Sequence, residues 1–522
     1  MKFLKVALVL AMALSLTASV YAETQSVKVS GDLTVRGIWR SNYDYRGSTP
    51  EPDITRTGMT SDTIGPYGIG SQPGTPQGWW MSTTEVQIDA ELTDCVSTVI
   101  RILNERDWNV QSKAMVVDQD MRPNGLGGYN PDANEFGVNL DLAYITLKNF
   151  VYSPLTVTIG RQDLWFGKGL IVGSNHVYNN WVNNQNIWVN GFAAAVGPGQ
   201  LSAPEYTAQT AFDSVKAVLD YDPWTITGIY SSIWNNTIAS DDNMDLWGIN
   251  VGYKFDCYKA EAEAYWFWKR DRTIETWGVS NNGINDVHTI GVRGSMDPIE
   301  NFTVNGEIAG QFGSYQAWTA QTATRPRAAW AMDIATEWRG LMDKMAWKPK
   351  MGVEYVLYSG DQHEDGTGED TSEYNGWDPM FRGKFDSAIR EFVGTYYATY
   401  QYQPLYNDIP SCADASFTNQ SQVIFSGSIQ PMDCLTLKGN YNLFWVMEPY
   451  RQNCSGAIFG GGSQDDSSGF IGQEVDIQAI WDYTEDVSFG LLCGWFMPNA
   501  DTYQNNNNAI ASDIVGTVKV SF

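Results

Sequence analysis

The sequence predicts an all-β protein, a transmembrane antiparallel β-barrel of about 18 strands with long extracellular loops and short periplasmic turns. Three observations carry that prediction. Short stretches that alternate polar and apolar residues recur along the whole chain. The composition joins 13% aromatic residues and 49 Gly to a mean hydropathy of -0.30. After residue 22, nothing approaches the roughly 18 consecutive apolar residues that a helical span needs. Alternation lets a polar chain meet lipid, because only every second side chain faces outward and the aromatic ones gather at the two interfaces. Backbone groups in lipid must all be paired, and a closed barrel is the other structure besides the helix that achieves this.

The N-terminus reads as a signal peptide over residues 1–22. Lys2 and Lys5 precede an apolar run from Val6 to Val20 that ends in the small-residue pattern Val20, Tyr21, Ala22. The polar run Glu23, Thr24, Gln25, Ser26 follows at once, so this segment is removed rather than kept as an anchor. No Pro/Ser-rich linker or shift in composition divides the rest, and residues 23–522 are read as one barrel domain. The expected location is the outer membrane of a Gram-negative-type bacterium. A TonB-dependent transporter would carry a large plug domain ahead of its barrel, whereas alternation begins here at Val27.

Within the barrel the repeating unit is a short turn carrying Asp, Pro or Asn, roughly 10 alternating residues, a longer Gly/Asn/Asp-rich connection, and alternation back. Ser153-Pro154, Asp222-Pro223, Asp297-Pro298, Pro431 to Asp433 and Glu485-Asp486 mark the short turns, which belong on the periplasmic side. Strand starts fall near residues 27, 82, 95, 137, 155, 212, 224, 245, 257, 287, 302, 328, 346, 421, 434, 472, 487 and 510. The Tyr-rich segment from Ser387 to Gln403 is placed in an outer loop, since one more strand would leave an odd count.

Facing follows from alternation. Val86, Ile88, Ala90 and Leu92 share one side of a strand while Glu85, Gln87, Asp89 and Glu91 share the other. A row of carboxylates at mid-bilayer depth would cost several kcal/mol, so the second set looks into the lumen. The same rule turns Lys259, Glu261, Glu263, Asp333, Glu337 and Arg339 inward, and Ala260, Ala262, Ala264, Met332, Ile334 and Trp338 outward. At the C-terminus Ile514, Gly516, Val518, Val520 and Phe522 alternate with Thr517, Lys519 and Ser521. A last strand ending in Phe resembles the signal by which outer-membrane proteins are handed to their assembly machinery, an expected partner alongside outer-membrane lipid.

A net charge of -27 excludes nucleic acid as a partner, because phosphate binding depends on Lys and Arg. Six Cys fit an oxidising compartment, and the absence of C-x-x-C speaks against a zinc or thioredoxin-like site. Cys412 and Cys454 fall in consecutive external loops and are expected to be joined, while Cys95, Cys257 and Cys434 sit at periplasmic strand ends. Of the three His, His176 follows Ser174 by two residues in a Gly/Asn-rich connection, which is read as a coincidence of a loop, so no nucleophile and base are paired and no enzyme is expected. No cofactor is expected. Asp361, Asp365, Glu369 and Asp370 crowd one acidic loop as oxygen donors suited to a structural calcium ion, without the spacing of an EF-hand, and a merely solvated loop is the plainer reading.

Two segments resemble the alginate-export porin family. One is AYITLKNF from Ala143, followed by LTVTIGRQDLWFGKGLIVGSNHVYNNW; the other is VEYVLYSGDQHEDGTGED followed by GWDPMF. The resemblance implies an 18-stranded barrel passing an anionic polysaccharide through a constriction lined by arginines and some carboxylates. It assigns Arg161, in Gly-Arg-Gln, to that constriction. Alternation from Leu155, Val157 and Ile159 would turn Arg161 toward lipid, so the assignment requires a bulge near Gly160; the other reading has Arg161 snorkelling to headgroups at the outer rim. Alternation alone adds Arg36, Arg101, Arg293, Lys254, Lys348 and Lys350 to the inward cations. It also turns in Glu85, Asp89, Glu91, Glu105, Glu261, Glu263, Glu307, Glu354, Glu474 and Asp476, a lumen of mixed sign. The expected function is an outer-membrane channel for polar solutes, sugars or an anionic polysaccharide; the alternatives are a general diffusion porin and a non-transport surface or adhesion barrel.

Overall fold

The protein is described by a computed structural model over residues 26–42, 77–108, 138–175, 186–189, 192–195, 203–234, 243–272, 285–315, 324–341, 344–361, 373–393, 418–448, 469–500 and 509–522. Its first strands are β1 (Ser26–Ser41), β2 (Gln77–Thr93), β3 (Val96–Asp107), β4 (Asn139–Leu147) and β5 (Leu155–Gln162). A small hairpin, β6 (Asn186–Val189) with β7 (Phe192–Ala195), lies in the connection that follows. The wall resumes with β8 (Phe212–Tyr221), β9 (Trp224–Trp234), β10 (Met244–Lys254), β11 (Glu261–Asp271), β12 (Asn285–Ile299), β13 (Phe302–Tyr315) and β14 (Arg325–Trp338). It ends with β15 (Lys350–Tyr358), β16 (Gln420–Met432), β17 (Leu435–Val446), β18 (Phe470–Asp482), β19 (Val487–Pro498) and β20 (Ala511–Ser521).

Apart from the hairpin, these form one 18-stranded sheet in which each strand pairs antiparallel with its sequence neighbour. The sheet closes because β1 pairs with β20 as well as with β2, with Asp32 opposite Ser521 and Ser41 opposite Ser512. Closure removes every free edge, so the ladder satisfies the backbone within the bilayer. All the expected strands are present, and the largest displacement of a start is at β2, residue 77 against an expected 82. The hairpin was not expected. Of the Ser387–Gln403 segment, residues 387–393 are described and hold one helical turn, Arg390–Val393, with no strand.

Alternation sorts the two faces as the sequence implies. Ile88, Ile100, Ile249, Ile290, Ile334 and Ile477 are exposed on the outer surface, where apolar side chains meet lipid and a Lys or Arg would cost about 2–4 kcal/mol. Rings cluster toward both rims. Trp224, Tyr253 and Phe255 interlock beside the short turns, and Trp266, Trp268, His288 and Phe312 stack toward the long loops. Such girdles place amphipathic rings at the headgroup level. Two inward assignments are corrected. Lys259 and Lys348 take positive φ in turns, not strands, and pair there with Asp297 at 3.5 Å and Asp433 at 3.7 Å. Alternation does not extend past the end of a strand.

The interior is not an open tube. Toward the long-loop end, many inward side chains of β8 to β16 are apolar and buried, including Phe212, Leu246, Phe267, Val287, Ala331 and Val356. What buries them is chain folded inward from two loops.

A constriction built by two in-folded loops

The first in-folded segment leaves β5 at Asp163 and runs to Asn175; the second leaves β15 at Ser359 and is described at residue 361 and again from 373 to 393. They meet in the lumen as a short parallel ladder, with Val172 bridged to Phe381. Phe381 N donates to Ile171 O at 2.9 Å, Gly173 N donates to Phe381 O at 2.8 Å, and Gly383 N donates to Gly169 O at 2.9 Å. Leu170, Ile171, Val172, Trp377, Met380 and Phe381 fill the space against the apolar wall, and the Phe381 ring meets Phe212 edge-on at 5.6 Å. Both segments are apolar where they face the wall, which is why they fold in rather than out into solvent.

Charged groups pin the crossing. Lys269 Nζ donates to Asp378 at 2.6 Å, while Gln311 holds the same residue through its backbone, donating to Asp378 O at 2.8 Å and accepting from Asp378 N at 2.9 Å. Burial would raise the Asp378 carboxyl, yet the Lys269 ammonium and Arg327 guanidinium hold it below its ordinary range. Lys384 reaches Asp333 and Asp386 at 3.0 Å each, and also Glu354. Burial would lower this ammonium, but Asp386, Asp333 and Glu354 together raise it, so it stays charged. Lys168, from the other segment, approaches Glu354 at 3.4 Å and Asp333 at 3.7 Å. Further along, Glu474 accepts from Ile389 N at 2.7 Å and Arg390 N at 2.8 Å, and Asp476 accepts from Ala388 N at 3.3 Å. A third inward piece, residues 203–211, is held by Glu105, which accepts from Thr207 Oγ1 at 2.7 Å and Ala208 N at 2.6 Å.

Against this geometry the expected lumen residues divide into groups. Arg36, Glu85, Asp89, Arg101, Glu105, Glu261, Glu263, Arg293 and Glu354 all face inward, though most are engaged with one another or with the loops. Arg101 Nε donates to Asp141 at 2.6 Å and lies 3.8 Å from Glu85; Arg293 bridges Glu261, at 3.0 Å, and Glu263. Arg36 donates to Thr83 at 3.3 Å and stacks over the Tyr206 ring at 5.1 Å, and Asp89 accepts from Gln87 at 3.0 Å.

Arg161 is a correction. Its required bulge is missing, because register runs unbroken from Ile159 opposite Val215 to Arg161 opposite Asp213, and likewise along β4. Gly160 instead adopts a φ of 127°, which a glycine tolerates, and a Cβ there would stand 2.2 Å from the Ala143 carbonyl. Arg161 therefore shares the outer face of Ile159, itself 47% exposed, and pairs at 3.4 Å with Asp213 at the rim. Of the expected calcium ligands, Asp361 is occupied by Arg325, at 3.0 and 3.2 Å, and by Asn375 N. Asp365, Glu369 and Asp370 lie outside the described residues, as do Cys412, Cys454 and His176. No group of potential metal ligands occurs among the described residues.

Sequence reasoning missed Lys168, Lys384, Asp378 and the partner of Arg101, Asp141. A signal was nonetheless present. LWFGKGLIVGSN and GWDPMF, two runs without alternation quoted above for a resemblance, contribute the two sides of the crossing.

The family model described as "Alginate export" matches residues 70–516. Among solved structures the chain is similar to Pseudomonas aeruginosa OpdQ, at 10% identity and a TM-score of 0.47, covering 95% of this chain and 98% of that one. It is likewise similar to OpdK with vanillate from the same organism, at 8% identity and a TM-score of 0.47, covering 95% and 99%. Vibrio cholerae OmpT matches at 9% identity and a TM-score of 0.35, covering 96% and 100%. No curated protein matches.

Proposed function

The chain belongs to the alginate-export family, an outer-membrane channel rather than an enzyme by family and architecture, and from that premise we propose that it passes an anionic polysaccharide made of acidic sugars. The observation that carries this reading is the crossing of two in-folded loops. A lumen of 18 strands is wide enough to leave an aqueous channel, and chain folded across it turns a wide pore into a narrow one where each charge acts through little water. The family-like segments are the ones that narrow it.

The neutralisation of Lys168 and Lys384 by Asp333, Glu354 and Asp386 favours a second reading, a general diffusion porin with weak charge preference. Purified protein in planar bilayers separates the readings. Under the proposal the channel conducts, and an oligogalacturonate of four residues reduces the current at concentrations where maltotetraose does not. Equal effects of both sugars would leave the general porin, and no conductance would leave a surface or adhesion barrel.

A further inference from the structure

Beneath the crossing, on the side of the short turns, lies a cavity of ≈ 330 Å³ whose roof is Leu164 to Gly167 and whose walls come from β8 to β11. Trp165 is 56% exposed there, although most of the in-folded chain around it is buried. The indole is nevertheless fixed. Its Nε1 donates to Gly167 O at 3.0 Å, and its six-membered ring packs against Gly169 and Gly383, one glycine from each in-folded segment. A Cβ at either position would stand 2.7 Å from that ring, so only glycine allows the indole to lie so close to the backbone. A large aromatic surface held rigid and left uncovered inside an aqueous lumen has no packing role on its open side. Around it the cavity lining mixes apolar side chains such as Val218 with charged ones.

Lys216 and Lys254 line the same cavity and form no salt bridge among the described residues. The other charged pair, Glu261 and Glu263, is bridged by Arg293. Two ammonium groups outside any salt bridge, with Asp163 near Lys216 and Glu261 opposite Lys254 across the ladder, therefore face the same space as an open indole face. One apolar plate with cations beside it matches a pyranose ring that carries a carboxylate: its axial C–H face covers the indole while its carboxylate reaches a lysine.

We infer that Trp165 is the stacking platform of a sugar-binding subsite, and that Lys216 and Lys254 select the carboxylate of the bound ring. The inference rests on the polysaccharide reading above and gives it a first stop on the periplasmic side of the crossing. Lys254, the last residue of β10, lies nearest the mouth. A chain entering from that side meets it before the indole.

The test is current block in planar bilayers by tetragalacturonate and by maltotetraose, with three variants whose folding is checked by heat-modifiable gel migration. Trp165→Phe keeps a ring and should retain block, whereas Trp165→Leu keeps apolar volume without a ring and should weaken block by tetragalacturonate about fivefold. Lys216→Gln with Lys254→Gln should lose preference for the acidic sugar while open-channel current is kept. If the wild type is blocked by tetragalacturonate and neither Trp165→Leu nor the lysine pair changes that block, the subsite is refuted and the channel reading stands. If the folded wild type conducts but no sugar blocks it, the subsite is likewise refuted; if it does not conduct, the channel reading falls and takes the subsite with it.

Discussion

At the scale of single residues, two arginines that look alike in the sequence have opposite surroundings. The Asp141 side chain is 0% exposed and depends on Arg101. Arg101→Gln would remove the cation bonded to that buried carboxylate and leave it the weaker influence of Arg161; breaking other buried pairs costs about 3–5 kcal/mol. Arg161 faces Asp213, whose side chain is 65% exposed, so Arg161→Gln should cost no more than about 1 kcal/mol, as for surface pairs. Thermal unfolding followed by gel migration should therefore separate the two variants clearly, and similar midpoints would mean that Asp141 finds another partner. Asp378 carries a pH dependence. Its carboxyl lies below its ordinary value of 3.8, so its contribution is present above that value and is lost as pH falls through the lower value of the folded protein. The Lys269 tether should therefore hold until pH falls below 3.8 and then release, read as a further change in channel current in that range. Asp378→Asn should show the released behaviour already at neutral pH.

At the scale of elements, the wall strands were legible and the in-folded loops were not, for a physical reason. A strand with lipid on one side and water on the other must alternate with a period of 2, as β11 does with Glu261 and Glu263 against Ala262 and Ala264. A loop that packs against the inner wall has no such period. The partner of Val172 is Phe381, far downstream, and nothing local in either segment announces the other. At Arg161 alternation held and the resemblance did not, since the assignment to the constriction required a bulge while the unaltered pattern already turned the side chain outward. The crossing can be tested at Gly383, where a Cβ would stand 2.7 Å from the Gly173 carbonyl carbon and from the Trp165 ring. Gly383→Val should drive the two segments apart and raise single-channel conductance. Unchanged conductance would mean that the crossing is not the narrowest point.

At the scale of the whole molecule, the seam between β1 and β20 completes the cylinder, and Gly31 is its tightest point. Gly31 and Phe522 exchange backbone hydrogen bonds of 2.9 Å in both directions, and the Phe522 ring lies over the glycine. A Cβ there would stand 2.6 Å from both that ring and the Glu85 carbonyl oxygen. Gly31→Leu should cost about 1–3 kcal/mol of overpacking and so lower the temperature at which the barrel opens. Gly516, also on the seam strands but with nothing within 4 Å of its missing Cβ, provides the control, and Gly516→Leu should leave that temperature nearly unchanged.

The placement of the in-folded chain near one end makes the conduit a funnel rather than a cylinder. Its short-turn half is a vestibule edged by half-exposed charges such as Glu261, and its other half is filled by the crossing. Ions driven one way are gathered by the vestibule before the bottleneck; driven the other way they meet the bottleneck first. The conduit should therefore rectify, passing more current at one polarity than at the same voltage reversed, to a degree that fades as added salt shortens the roughly 8 Å reach of each charge. A current–voltage curve taken in symmetric dilute salt, with all molecules inserted in one orientation, reads this directly: a straight line through the origin would mean that the two halves offer equal resistance.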